Sequence, residues 1–263
     1  ITALQQSLTN LILKEFDITY NSTFSSKEII RNIAELYQKY TRFIQLAFDG
    51  DNSMMKTLED SMAQIINYKI KNCWILFSNF IDEILKMRII ITEDITKIIE
   101  LFSSRTESFD HFVNEFKEKL SQRIVFHGID LASEEFVVEI FKSADKLTPE
   151  QNFHIKRMLQ DFKEMRNSIL VLTSHSWPTN CNPISLDEFI IPDSLKTLML
   201  EFEDRYRQVH CGRKIQWCPQ LITLESTNGT VMTLLQYQIL HYLPFGFNLS
   251  ELAQKLNVPF VDI

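Results

Sequence analysis

From residue 1 to about 124 the chain repeats one pattern: apolar residues three and four positions apart with polar residues between them. That spacing restricts it to helices that each bury one face and leave the other to water, which is the pattern of a helical bundle. Leu4, Leu8, Leu11, Ile12 and Phe16 make the first stripe, and a turn follows at Asn21-Ser-Thr. Ser25 and Glu28 form a capping box, in which each side chain satisfies a backbone N–H left over at a helix start. The helix opened there carries Ile29, Ile33, Leu36, Tyr40, Phe43 and Ala47, widened by Ile30, Tyr37 and Ile44, and stops at Asp49-Gly50-Asp51-Asn52. Asn52 or Ser53 can cap the next, with Met55, Leu58, Met62, Ile65 and Ile66 inward. Cys73 to Arg88 follows with Trp74, Phe77, Phe80, Ile81, Ile84 and Leu85. Thr92 caps a helix bearing Ile95, Ile98, Ile99 and Phe102, and residues 106–124 place Phe109, Phe112, Val113, Phe116 and Leu120 on one side. The charged residues between these positions are expected on solvated outer faces.

Composition agrees with long helices: 20 Phe and only 5 Gly in 263 residues leave little for a loop-rich fold. The formal charge of −7 argues against a general nucleic-acid binder. No apolar run reaches the roughly 18 residues that a membrane-spanning helix needs. The opening Ile-Thr-Ala-Leu-Gln reads as the start of a fragment. Cys73, Cys181, Cys211 and Cys218 lack the paired spacing of a structural zinc site, so reduced thiols are the simpler reading; His210, Cys211 and Cys218 are the one conceivable metal cluster.

The second half changes character. Thr148-Pro149 starts a helix that continues through Phe153 toward Ser168. Ile169-Leu-Val-Leu-Thr173 is an apolar, β-branched run stopped by Trp177-Pro178, which predicts a buried strand ending at a turn. Pro192 begins a helix with Leu195, Leu198, Met199, Phe202, Tyr206 and Val209 at helical spacing. Gly212 ends it, and Lys214 to Trp217 alternates like a strand. Asn228-Gly229 marks a hairpin between Leu221–Leu224 and Thr230–Leu234. Gln236 to Leu243 and the capped Asn248-Leu-Ser-Glu251 then read as the opening helices of a winged helix.

A strand ending in Ser-Trp-Pro, then His210-Cys-Gly-Arg-Lys-Ile-Gln-Trp217, then a hairpin resembles the C-terminal region of the cullins. Tyr37-Gln-Lys-Tyr-Thr-Arg-Phe, Phe48-Asp-Gly-Asp-Asn, Ile66-Asn67, Phe109-Asp-His-Phe, Lys119-Leu-Ser-Gln-Arg-Ile124 and Met158-Leu-Gln-Asp-Phe162 are similar, in order, to further blocks of that family. Two departures stand out. The polar segment after Ile124 is rewritten, and Ser168 joins Ile169 directly where the family has a longer linker, which fits residues left out of the numbering. The Ile-, Asn-, Lys- and Phe-rich style suggests a fungal member.

The resemblance implies a mainly α fold with a small α/β part: a helical bundle, an α/β sheet domain and the start of a winged helix. The boundaries expected are 1–24 (the end of a preceding helical repeat or the first bundle helix), 25–130 (bundle), 131–240 (α/β domain) and 241–263 (start of the winged helix). It implies a non-catalytic scaffold of a RING-type ubiquitin ligase, with no cofactor and no resident metal. A small zinc RING protein would add a strand to the α/β sheet and hold a ubiquitin-charged E2 enzyme near substrate, while adaptors would bind a region outside this chain. On that reading the partner-binding residues are Leu170, Val171, Leu172 and Thr173, with Ile215 and Trp217 packed beneath or beside them; each could equally be core. The setting would be the cytoplasm and nucleus. The lysine that accepts a ubiquitin-like modifier in the family would lie beyond residue 263. The alternatives are the cullin-like subunit of the anaphase-promoting complex and, from another class, a winged-helix nucleic-acid-binding regulator. The stretch from 248 to 263 has only Lys255 as a base, which counts against the last.

Overall fold

The computed structural model describes residues 2–20, 24–165, 169–181 and 189–256. It forms two compact units, residues 1–178 and 179–263, each treated by itself below. The described residues are mainly helical, with one small two-stranded sheet. None of their helices is long and apolar enough to cross a membrane.

The first unit holds α1 (Thr2–Thr19), α2 (Ser26–Phe48), α3 (Asn52–Gln64), α4 (Cys73–Lys86), α5 (Glu93–Arg105), α6 (Phe109–Gln122), α7 (Leu131–Ser143) and α8 (Pro149–Lys163). The capping boxes at Ser25/Glu28 and Thr148/Gln151 are both formed, and Thr92 caps α5. Asp51, rather than Asn52 or Ser53, caps α3, because its carboxylate accepts the N–H groups of both Ser53 and Met54. Residues 65–69 and 123–127 close each of α3 and α6 with a π-helical turn. In the first of these turns Asn67 donates to the carbonyls of Ala63 and Arg105, both at 2.9 Å, and accepts the Glu107 N–H at 2.9 Å. One side chain thereby satisfies orphan backbone groups at the end of α5.

The stripes bury much as their spacing predicts. Phe77 and Phe102 stack at 5.1 Å, Phe77 and Phe112 at 4.7 Å, and Phe141 meets Phe112 edge-on at 5.2 Å. Some positions differ. Leu8, Ile12 and Phe16 are buried but Leu4 and Leu11 are exposed, so the stripe of α1 is narrower than the sequence suggests. Met54 is buried in place of Met55, and Phe43 lies exposed, packed edge-on against Tyr40 and Phe48. Helix α7 was not foreseen. It packs on α5, and α8 packs on α6 and α7. The helices between 131 and 163 therefore belong to the helical unit and not to the α/β part.

The charged residues are not all on outer faces. Arg123 and Glu134 are each about 1% exposed. Arg123 holds Glu134 through two parallel bonds, Nε to Oε1 at 2.7 Å and Nη2 to Oε2 at 2.9 Å, and reaches Asp82 Oδ1 at 2.5 Å through Nη1. Its guanidinium also lies 5.5 Å from the Phe116 ring. Burial alone would lower the Arg123 pKa, but the bonds to Glu134 and Asp82 outweigh it and hold the group above its usual range. A buried charge is tolerated only when it is paired and hydrogen-bonded, which is the reason an outer-face assignment fails here.

In the second unit, α9 (Asp193–Val209) is followed by β1 (Thr223–Glu225) and β2 (Val231–Thr233), paired antiparallel with Leu224 opposite Met232. Gly229, at φ 81°, takes the left-handed position of the connection, and its N–H closes the turn onto the Ser226 carbonyl at 2.9 Å. A capping box at Thr233/Gln236 starts α10 (Leu234–Tyr242), and α11 (Leu249–Leu256) begins where Asn248 and Glu251 cap each other's backbone. Residues 213–218 form no strand, contrary to the alternation in the sequence; Trp217 is drawn onto α9 instead.

Replacing Arg123 by Met is expected to cost about 3–5 kcal/mol, because Glu134 is left buried without its partner. The double variant R123M/E134L should regain most of that loss. Urea denaturation followed by circular dichroism checks both; equal destabilisation in the double variant would mean that packing, not pairing, is what Arg123 provides.

Candidate functional site

Leu170, Val171, Leu172 and Thr173 lie in the first unit, directly before the turn at Ser174–Trp177. Among the described residues they form no ladder, and only Ile169 sits in a single-residue bridge. Leu170, Leu172 and Thr173 are half-buried and Val171 is 37% exposed. The buried strand anticipated here is thus a half-buried segment in irregular conformation. No hydrogen bond joins the backbone of residues 170–172 to another described residue.

What fixes the segment is Asp161, near the end of α8 and about 1% exposed. Its Oδ2 accepts the Thr173 N–H at 2.7 Å and the Trp177 indole N–H at 2.8 Å. Its Oδ1 accepts the Thr173 hydroxyl at 2.8 Å and faces Arg157 Nη2 at 2.7 Å. Arg157 Nε–H donates to Thr173 Oγ1 at 2.7 Å, one helical turn before Asp161, so both side chains project from the same face of α8. The carboxylate has about four lone-pair directions, and four donors meet them. A second tie lies beside the first: His154 Nδ1 and Ser176 Oγ are 3.2 Å apart. The turn itself closes from Ser176 N–H to the Thr173 carbonyl at 3.2 Å and carries His175 at φ 72°, a backbone region that costs a non-glycine residue about 1–2 kcal/mol.

Ile215 and Trp217 lie in the second unit, so the six residues divide between the two bodies. Trp217 donates its indole N–H to Glu203 Oε1 at 2.6 Å and meets Phe202 edge-on at 6.1 Å. Ile215 lines a shallow groove with Glu203, Arg207, Arg213 and Lys214. Before α9, the buried amide of Gln238 on α10 pairs with the backbone of Ile190: its Oε1 accepts the Ile190 N–H at 3.0 Å and its Nε2 donates to the Ile190 carbonyl at 2.6 Å. This is the bonding of a strand neighbour, supplied by a side chain. Cys218 donates its thiol to the Cys181 carbonyl at 3.3 Å, and burial with Cys181 nearby pushes the Cys218 thiol up to about 11. Cys211 is exposed, and no cluster of three or more His, Cys, Asp or Glu among the described residues could hold a metal ion.

Met158-Leu-Gln-Asp-Phe162 and the run from Ile169 to Trp177 stand apart in the sequence, and no local pattern joins them. The missed signal was Asp161 itself: it falls between Met158, Leu159 and Phe162 on the apolar face of α8, where a carboxylate must find donors.

The family model of the Cullin alpha solenoid domain matches residues 1–167, and that of the Cullin alpha+beta domain matches residues 171–241.

This chain belongs to the cullin family.

Similar proteins include Cullin-1 of Schizosaccharomyces pombe, 23% identical over 220 residues that make up 73% of this chain and 28% of that protein. Cullin-3B of Arabidopsis thaliana is 23% identical over 72% of this chain and 28% of its own length. Cullin-1 of Dictyostelium discoideum is 23% identical over 84% and 33%. The chain therefore spans about three-tenths of the length of these relatives. The junction of the two family regions, between residues 167 and 171, lies just before the segment that Asp161 secures.

Two outcomes are expected. Asp161→Ala leaves the Thr173 N–H and the Trp177 indole N–H buried without acceptors and should cost about 3–5 kcal/mol, read as a fall in the urea midpoint. With a thiol-specific alkylating reagent at pH 8, Cys211 should label fastest. Cys73, which burial pushes up to about 12, should label only on unfolding; mass spectrometry of the peptides gives both rates.

Proposed function

We propose that this chain is the part of a cullin scaffold that receives a small zinc RING protein, and that the cullin so assembled brings a ubiquitin-charged E2 enzyme close to a substrate. It contributes position and orientation and no catalytic group of its own. Substrate adaptors would engage a part of the scaffold outside residues 1–263, and the assembly would work in the cytoplasm and nucleus.

The observation that carries this reading is the segment at residues 170–172. It joins the solenoid region to the α/β region, and its backbone is hydrogen-bonded to no other described residue. Its apolar side chains are only half-buried or exposed, and it is secured at one end, at Thr173. An anchored stretch of this composition is suited to strand addition, where main-chain hydrogen bonds give affinity and alternate side chains give fit.

Co-expression with a cullin-partner RING protein followed by size-exclusion chromatography tests it. The expected result is co-elution of the wild-type chain and its loss in Leu172→Pro, with circular dichroism showing the variant folded. A folded wild-type chain that elutes alone would overturn the reading.

A further inference from the structure

We infer that Asp161, steadied by Arg157, is a positioning residue that dedicates one edge of the 170–173 segment to helix α8, so that a partner strand must pair through the backbones of Leu170 and Leu172. This inference rests on the strand-addition reading above and specifies its edge and its end.

The argument begins with backbone alternation. In a strand, the N–H and C=O of one residue point to one edge, and those of the next residue point to the other. Thr173 gives its N–H to Asp161 Oδ2 at 2.7 Å, so its edge is the one facing α8. Drawn out as a strand, the segment turns the backbone of Val171 to that same edge and the backbones of Leu170 and Leu172 to the opposite one. Asp161 does more than occupy one donor. The same carboxylate takes the Thr173 hydroxyl and the Trp177 indole N–H, which fixes the rotation of the chain about its own axis and not only its position. Arg157 bonds both Asp161 and Thr173 Oγ1, closing a three-membered network in which no partner can turn alone. Pairing ends at Thr173, because that N–H is already committed and the chain turns away through His175.

The two edges predict opposite effects for one substitution placed one residue apart. Proline removes an N–H, which matters only on the edge where that N–H is used. Leu172→Pro should abolish capture of the RING protein, whereas Val171→Pro should retain it. Asp161→Asn should weaken capture by about tenfold, the effect of losing roughly one charge-assisted hydrogen bond, and Thr173→Val should do the same while Thr173→Ser retains binding. Melting temperatures of the partner-free variants show whether an effect on capture exceeds an effect on folding. Amide hydrogen exchange supplies a readout that needs no partner: the Thr173 N–H should exchange slowly in the wild-type chain and rapidly in Asp161→Asn. If wild-type chain captures no RING protein, the reading above falls and this inference with it. If it captures the RING protein but Val171→Pro and Leu172→Pro lose it equally, or if Thr173 is unprotected in the wild type, the inference alone is overturned.

Discussion

The helical unit depends on a guanidinium that has been taken out of water. Arg123 lies in the π-helical turn closing α6, and its bonds run to Asp82 on α4 and to Glu134 on α7. Two neighbouring elements and the more distant α4 are thus held by one side chain whose geometry tolerates little error, since a bidentate fork accepts a carboxylate in one plane. Hydrophobic stripes alone do not give this: apolar faces attract without direction and allow helices to slide or rotate. The triad adds direction at the point where the chain leaves the Phe-rich core for α7. Because α8 packs on α7 and α6, the position of α8 follows from that of α7.

The same device recurs one helix later. Asp161 on α8 is as buried as Arg123, and its four donors come from α8 and from the turn at residues 173–177. The sequence of constraints runs from Arg123 to α7, from α7 to α8, and from α8 through Asp161 to the segment that carries the proposed pairing edge. Each step is a polar contact or helix packing within one unit, so the orientation of that segment is inherited from the core. The exchange of many weak, direction-free contacts for a few costly directional ones is what lets a helical body hold an irregular segment in a defined attitude.

Much of this was legible in the sequence, and the illegible parts share a cause. Periodicity located α1 to α6 and α9, and the residue chemistry of Ser25/Glu28, Thr148/Pro149 and Asn228/Gly229 located a cap, the start of α8 and the hairpin, because those signals are local. Helix α7 was missed, although Val137, Val138, Ile140 and Phe141 bury, because its first turns carry Glu134 at an inward position where the pattern asks for an apolar residue. Asp161 escaped notice for the same reason. A carboxylate on a helix reads as solvated unless its donors are known, and its donors Thr173 and Trp177 lie twelve and sixteen residues away. At Leu170–Thr173 the composition spelled a strand, yet strand formation is a property of pairs; local sequence shows the capacity to pair and cannot show whether the pairing is supplied from within the chain. The Trp217 segment failed differently: alternation was present, but an indole N–H near Glu203 found a better partner on a helix.

The second unit meets the demand for backbone hydrogen bonds by other means. Its described sheet is a single hairpin of three-residue strands, and a two-stranded hairpin is marginal in water unless something covers it. Helix α10 provides part of that cover: Leu234 is fully buried and its N–H reaches the Ile222 carbonyl at 2.8 Å. Gln238 meanwhile gives Ile190 the hydrogen bonds a neighbouring strand would give. Along α9 only Met199 is buried, while Leu198, Leu200 and Val209 stay exposed. Taken together, these features describe an α/β region in which side chains stand in for strands and apolar area is left uncovered.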